Sequence, residues 1–118
     1  MKISEICDLL GAAVLCGGDE LDRDILSACG SDMMSDVLAY VKNQAVLLTG
    51  LVNPQVIRTA VMMDMMCIVF VRSKQPSAQM IEFAEENGLT VLTTPCRMYE
   101  ACGKLYAAGL KGNGEMNE

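Results

Sequence analysis

The residues best placed to do chemistry stand where short apolar runs end. Thr49-Gly50-Leu51-Val52-Asn53 leads into Pro54, with Arg58 one helical turn further on. A glycine there lets backbone approach a ligand closely. Free N–H groups at a helix start favour an anion, and an arginine one turn in reaches for a phosphate or carboxylate. Arg72 closes a second apolar run and Thr93-Thr94 a third. Thr49, Gly50, Asn53, Arg58, Arg72, Thr93 and Thr94 are therefore the candidate ligand residues. The loop has neither the G-x-G-x-x-G fingerprint nor the P-loop pattern, so an ordinary turn with a capped helix is the competing reading.

Nucleophiles are present but poorly supported. Cys96 precedes Arg97 at an expected helix start, an environment that lowers a thiol pKa. Ser31 and Ser35 flank another helix start and are alternative phosphoryl acceptors. The chain has no His, which removes the commonest general base. Cys67 lies five positions before Arg72, one short of the cysteine-phosphatase spacing. Asp32 and Asp36 read as charges that favour a helix N-terminus rather than as an acid–base pair. Gly17-Gly18-Asp19-Glu20 reads as a tight turn, because two carboxylates would repel an anion.

Composition narrows the classes. The chain has 118 residues, 15 Asp and Glu against 9 Lys and Arg, a net charge of −6, and no Trp. That balance argues against a nucleic-acid surface. Six cysteines include no C-x-x-C pair, so free thiols are expected and neither a metal nor a cofactor is. No signal-peptide pattern and no apolar stretch of about 20 residues is visible, so a cytoplasmic, non-membrane protein is expected.

Three segments share one plan. Ala45 to Gly50, Cys67 to Arg72 and Thr90 to Thr94 are short, rich in β-branched residues and not alternating, as strands covered on both faces are. Each is followed by a proline, Pro54, Pro76 or Pro95, and then by helical periodicity. Successive βα units of this kind predict a mostly parallel sheet in a single α/β domain over residues 1–110. Helices are expected over Pro54 to Met65, Pro76 to Asn87 and Met98 to Gly109. Earlier in the chain, a helix is expected over Ser4 to Leu10, with strands at Ala13 to Cys16 and Ile25 to Cys29. Ser31-Asp32 then caps a helix carrying Met34, Val37, Leu38 and Val41. Residues 111–118 read as a flexible polar tail.

Methionine is the remaining oddity. Met33-Met34 and Met62-Met63-Asp64-Met65-Met66 place adjacent methionines that cannot all face one core. Methionine suits adaptable binding surfaces. Met33, Met34, Met62, Met63, Met65 and Met66 are therefore the candidate interface of a homodimer or a partner-protein complex.

Several strings carry a resemblance. Ser31 to Tyr40, Leu47 to Ala60, Thr90 to Thr94 and Met98 to Tyr106, spread over the chain from Ile6 to Leu110, resemble the DRTGG domain family. The resemblance implies an α/β fold similar to the N-terminal domain of bacterial HPr kinase. Such domains occur fused to nucleotide-sensing CBS domains, including in regulated pyrophosphatases, and to phosphotransacetylases. They also stand alone in anaerobic bacteria, where they can lie near iron-only hydrogenase genes. No catalytic residue set transfers. The expected function is a non-enzymatic regulatory or interaction module that binds a small anion, with an adenine nucleotide as the first ligand to test. A small thiol- or phospho-acceptor protein acting through Cys96, Ser31 or Ser35 is the alternative.

Overall fold

The computed structural model describes residues 1–40 and 44–112. Five strands, β1 (Ala13–Cys16), β2 (Ser27–Gly30), β3 (Ala45–Thr49), β4 (Cys67–Phe70) and β5 (Thr90–Thr93), form one sheet in the order β1-β5-β4-β3-β2. β2 to β5 run parallel in sequence order, and β1 joins the β5 edge antiparallel. The helices are α1 (Ile3–Leu10), α2 (Met34–Tyr40), α3 (Pro54–Met62), α4 (Ala78–Glu86) and α5 (Met98–Ala107).

This strand order dictates the layers. Right-handed crossovers between neighbouring parallel strands, all stepping in one direction, put every connecting helix on the same face. Val37 of α2, Val56, Ile57 and Ala60 of α3, and Met80 and Ala84 of α4 accordingly pack on one side of the sheet with Leu47, Ile68, Phe70 and Val91. After β5 no parallel strand follows. α5 lies on the opposite face beside α1, where Ala101 and Leu105 meet Ile3, Ile6, Val46, Leu48, Val69 and Leu92. Every residue of β3, β4 and β5 is buried, which is why these strands read as continuous apolar runs.

Local signals work as the proline-capped turns imply. Asn53 caps α3 by accepting a hydrogen bond from Gln55 N at 2.8 Å, with Pro54 in the first turn. Ser77 caps α4 by accepting from Met80 N. The helices are shorter than the periodicity implies. α3 stops at Met62 because Asp64, at φ +53, turns the chain back. Val41, expected on α2, lies outside the described residues. Lys111 is held in place: its carbonyl accepts from Ala28 N, and its ammonium stands 3.6 Å from the centre of the Tyr106 ring. Among the described residues, no helix is long and apolar enough to cross a membrane.

Candidate ligand site

Loops after β2, β3 and β4 leave the carboxyl end of the sheet toward one face, while the loop after β5 leaves toward the other. A crevice opens where such connections diverge, as it does in open α/β sheets generally. It encloses about 500 Å³. Gly30, Ser31 and Asp32 form one wall, and Arg72 a second. Arg97 and Tyr99 reach it from the start of α5. Gly30 lets α5 come this close, since a Cβ there would stand 2.6 Å from Cys102 Sγ.

Asp32 organises the floor of the neighbouring loops. One carboxylate oxygen accepts from Thr49 Oγ1 at 2.9 Å and from Gly50 N at 2.7 Å. Thr49 Oγ1 in turn accepts from Leu51 N. The Asp32 side chain therefore ties the β2 loop to the β3 loop instead of capping α2, as the sequence led us to expect. The α2 entry is shaped by Ser31, whose Oγ accepts from Met33 N.

Arg72 is positioned by strained backbone. Arg72 and Ser73 adopt φ of +57° and +56°, the left-handed region that side chains disfavour. Their N–H groups donate to Cys96 O and Thr94 O, each at 2.8 Å, and these bonds lock the turn. The guanidinium lies over Gly50 so closely that a Cβ there would sit 2.6 Å from one of its nitrogens. Strain of this kind, held in place by its surroundings, is characteristic of ligand-binding positions. Neither Arg72 nor Arg97 forms an ion pair among the described residues.

The candidate residues divide. Thr49, Gly50 and Arg72 belong to the neighbourhood of the crevice, whereas Asn53 serves as a helix cap. Thr93 Oγ1 donates to Lys74 O, and Thr94 Oγ1 donates to Leu10 O at 2.6 Å while accepting from Cys96 N. Both hydroxyls hold loops rather than face the crevice. Thr94 does not cap α5: the helix begins four residues later, and Arg97 occupies the cap position. Arg58 lies elsewhere, in a groove between α3 and α4 with Ile57, Gln79 and Phe83. One turn into α3 the chain has already moved away from the sheet end. Sequence reasoning missed Asp32 as a tie and did not select Arg97 or Tyr99. Arg97 immediately precedes the helix after the third strand, as Asn53 and Ser77 precede those after the first two, and that repeat was the available signal.

The nucleophiles and methionines also separate. Cys96 Sγ is 3.6 Å from Lys104 Nζ and 3.7 Å from Leu10 O. Burial pushes the thiols of Cys7, Cys16, Cys29, Cys67 and Cys102 up, away from the reactive thiolate. Met65 is only 5% exposed and packs with Ile68 and Ala84, so it is removed from the candidate interface. The turn at Asp64 explains this, because it sends Met65 and Met66 to opposite faces of the sheet. Met34 and Met63 pack partly on the core. Met33 and Met62 are 61% and 67% exposed, but they stand at the start of α2 and the end of α3, at opposite ends of the sheet.

Comparison with known proteins agrees with this architecture. The curated proteins contain no match to the sequence. Among solved structures, the chain is similar to the CBS and DRTGG domains of the regulatory region of Clostridium perfringens pyrophosphatase, complexed with its activator diadenosine tetraphosphate. The TM-score is 0.68 at 17% identity, over 88% of this chain and 45% of that one. The chain thus spans less than half of that regulatory region, and the likeness bears on the fold. The model of the DRTGG domain matches residues 5–108, nearly the whole described domain, and the chain belongs to the DRTGG domain family.

Proposed function

We propose that this domain is a non-enzymatic regulatory module that binds a small anionic ligand in the carboxyl-end crevice, with adenine nucleotides as the first ligands to test. The observation that carries this reading is the pair Arg72 and Arg97. Two arginines from different loops line one crevice, without an ion-pair partner among the described residues, in a chain of net charge −6. Guanidinium forks match phosphate geometry. The crevice volume lies in the range used for small ligands. The activator bound to the pyrophosphatase regulatory region supports the choice of adenine nucleotides.

Binding would act by coupling layers. Arg97 begins α5 on one face of the sheet, while Arg72 leads toward α4 on the other. A ligand held by both ties the two helix layers together, which is the kind of differential contact a regulatory domain needs. Calorimetric titration with AMP, ADP and ATP tests the reading. Arg72→Ala and Arg97→Ala are each expected to weaken the bound nucleotide about tenfold or more, the effect of losing one charge-assisted hydrogen bond, with an unchanged melting temperature. Affinity indifferent to both substitutions would contradict the site.

A further inference from the structure

We propose, resting on the reading above, that the crevice selects a nucleoside phosphate through its ribose as well as its phosphate, with Asp32 as the ribose-reading residue and Tyr99 as the platform for the base. A bare anion fits this crevice poorly. Beside Arg72 and Arg97, the wall carries the Asp32 carboxylate, which repels a phosphate brought near it. The volume of about 500 Å³ also exceeds what one phosphate fills.

The Asp32 carboxylate is held in one orientation. One oxygen takes both bonds from Thr49 and Gly50, and the second has no partner among the described residues. A fixed carboxylate with a spare oxygen accepts from hydroxyl groups, and carboxylates at the ends of parallel strands commonly meet ribose in this way. Tyr99 completes the set. The residue lines the same crevice, yet it is 90% exposed, the most open large apolar or aromatic residue among the described residues. An aromatic ring left uncovered beside two arginines offers a base a stacking surface. Anion, hydroxyl acceptor and ring together match the three parts of a nucleotide. Because stacking tolerates any base, the sugar rather than the base carries the selectivity.

The test titrates the full chain with ADP, GDP, 2′,3′-dideoxy-ADP and pyrophosphate. ADP and GDP are expected to bind within about threefold of each other. The dideoxy compound and pyrophosphate are each expected to bind about tenfold more weakly than ADP. Asp32→Asn keeps an oxygen for Thr49 and Gly50, so it should fold, and because the amide then facing the ribose donates instead of accepting, it should narrow the difference between ADP and its dideoxy form. Tyr99→Ala, at an exposed position, should weaken both nucleotides and leave pyrophosphate unchanged. Pyrophosphate binding as tightly as ADP, with loss in Arg72→Ala, would overturn the ribose reading and leave the anion site standing. Absence of binding by all four compounds would overturn both.

Discussion

Gly17 and Gly50 sit at opposite ends of one sheet, and a Cβ on either would come within 2.6 Å of another atom. The atoms differ in kind. At Gly17 they are Thr90 Oγ1, Thr90 Cα at 2.7 Å and the Leu89 carbonyl at 2.8 Å, and the glycine itself has φ +77°. At Gly50 the close atom is the tip of the Arg72 side chain, and the next ones are 3.5 Å away. The amino end of the sheet is closed by backbone packed on backbone, with Thr90 Oγ1 donating to Gly17 O. At the carboxyl end the close contact on Gly50 is with the far end of a flexible arginine side chain. A side chain added at one end must displace backbone, and at the other only a flexible side-chain tip.

Substitutions at the two ends should therefore behave differently. Gly17→Ala should cause the largest loss, about 3 kcal/mol or more, because it adds a left-handed penalty to a backbone clash. Chemical denaturation would measure it, and a loss under about 1 kcal/mol would show that the amino end gives way more easily than its geometry implies.

Thr94→Val comes next. It removes the hydroxyl that donates to Leu10 O and accepts from Cys96 N, leaving that carbonyl only the Cys96 thiol, 3.7 Å away, and the Cys96 N–H without this acceptor. The expected cost is about 2 kcal/mol, with the α1 C-terminus and the loop before α5 loosening together in hydrogen exchange. Protection unchanged at Ala12 and Cys96 would separate this tie from the fold.

Gly50→Ala should have the smallest effect on stability, within about 0.5 kcal/mol, since only the guanidinium must swing aside. Nucleotide affinity should nevertheless fall about tenfold, as it does for loss of one charge-assisted contact. A fall in stability comparable to that of Gly17→Ala would erase the contrast between the two ends.

Much of this architecture is legible in the residues themselves. Three apolar runs, each followed by proline, specify the parallel units because strand burial, cap chemistry and proline geometry act locally. The antiparallel placement of β1 is not local: four residues, Ala13–Cys16, read alike in either direction. Candidate-site residues follow the same division. Thr49, Gly50 and Arg72 lie at strand ends, so the strand pattern alone delivers them to the right end of the sheet. Asp32 belongs to the site because β2 and β3 are neighbours, and Arg97 and Tyr99 belong because α5 crosses back over the sheet. Neither relation has a sequence period. Arg58 shows the converse, since helical proximity to the loop does not survive one turn of travel along α3. Methionine doubling misled at Met65 because the left-handed Asp64 breaks the helix on which the doubling argument depended.

If the proposed site is right, ligand binds at the carboxyl-end crevice and not at another surface. The most direct measurement is a map of backbone amide shifts in the labelled chain as ADP is added. Gly30, Ser31, Asp32, Gly50, Arg72 and Arg97 to Tyr99 are expected to move, with Gly17, Gly88 and the α3–α4 groove around Arg58 unmoved. Shifts confined to Gly17 and Gly88 or to the Arg58 groove would contradict that site, as would a spectrum that ADP, AMP and ATP all leave unchanged.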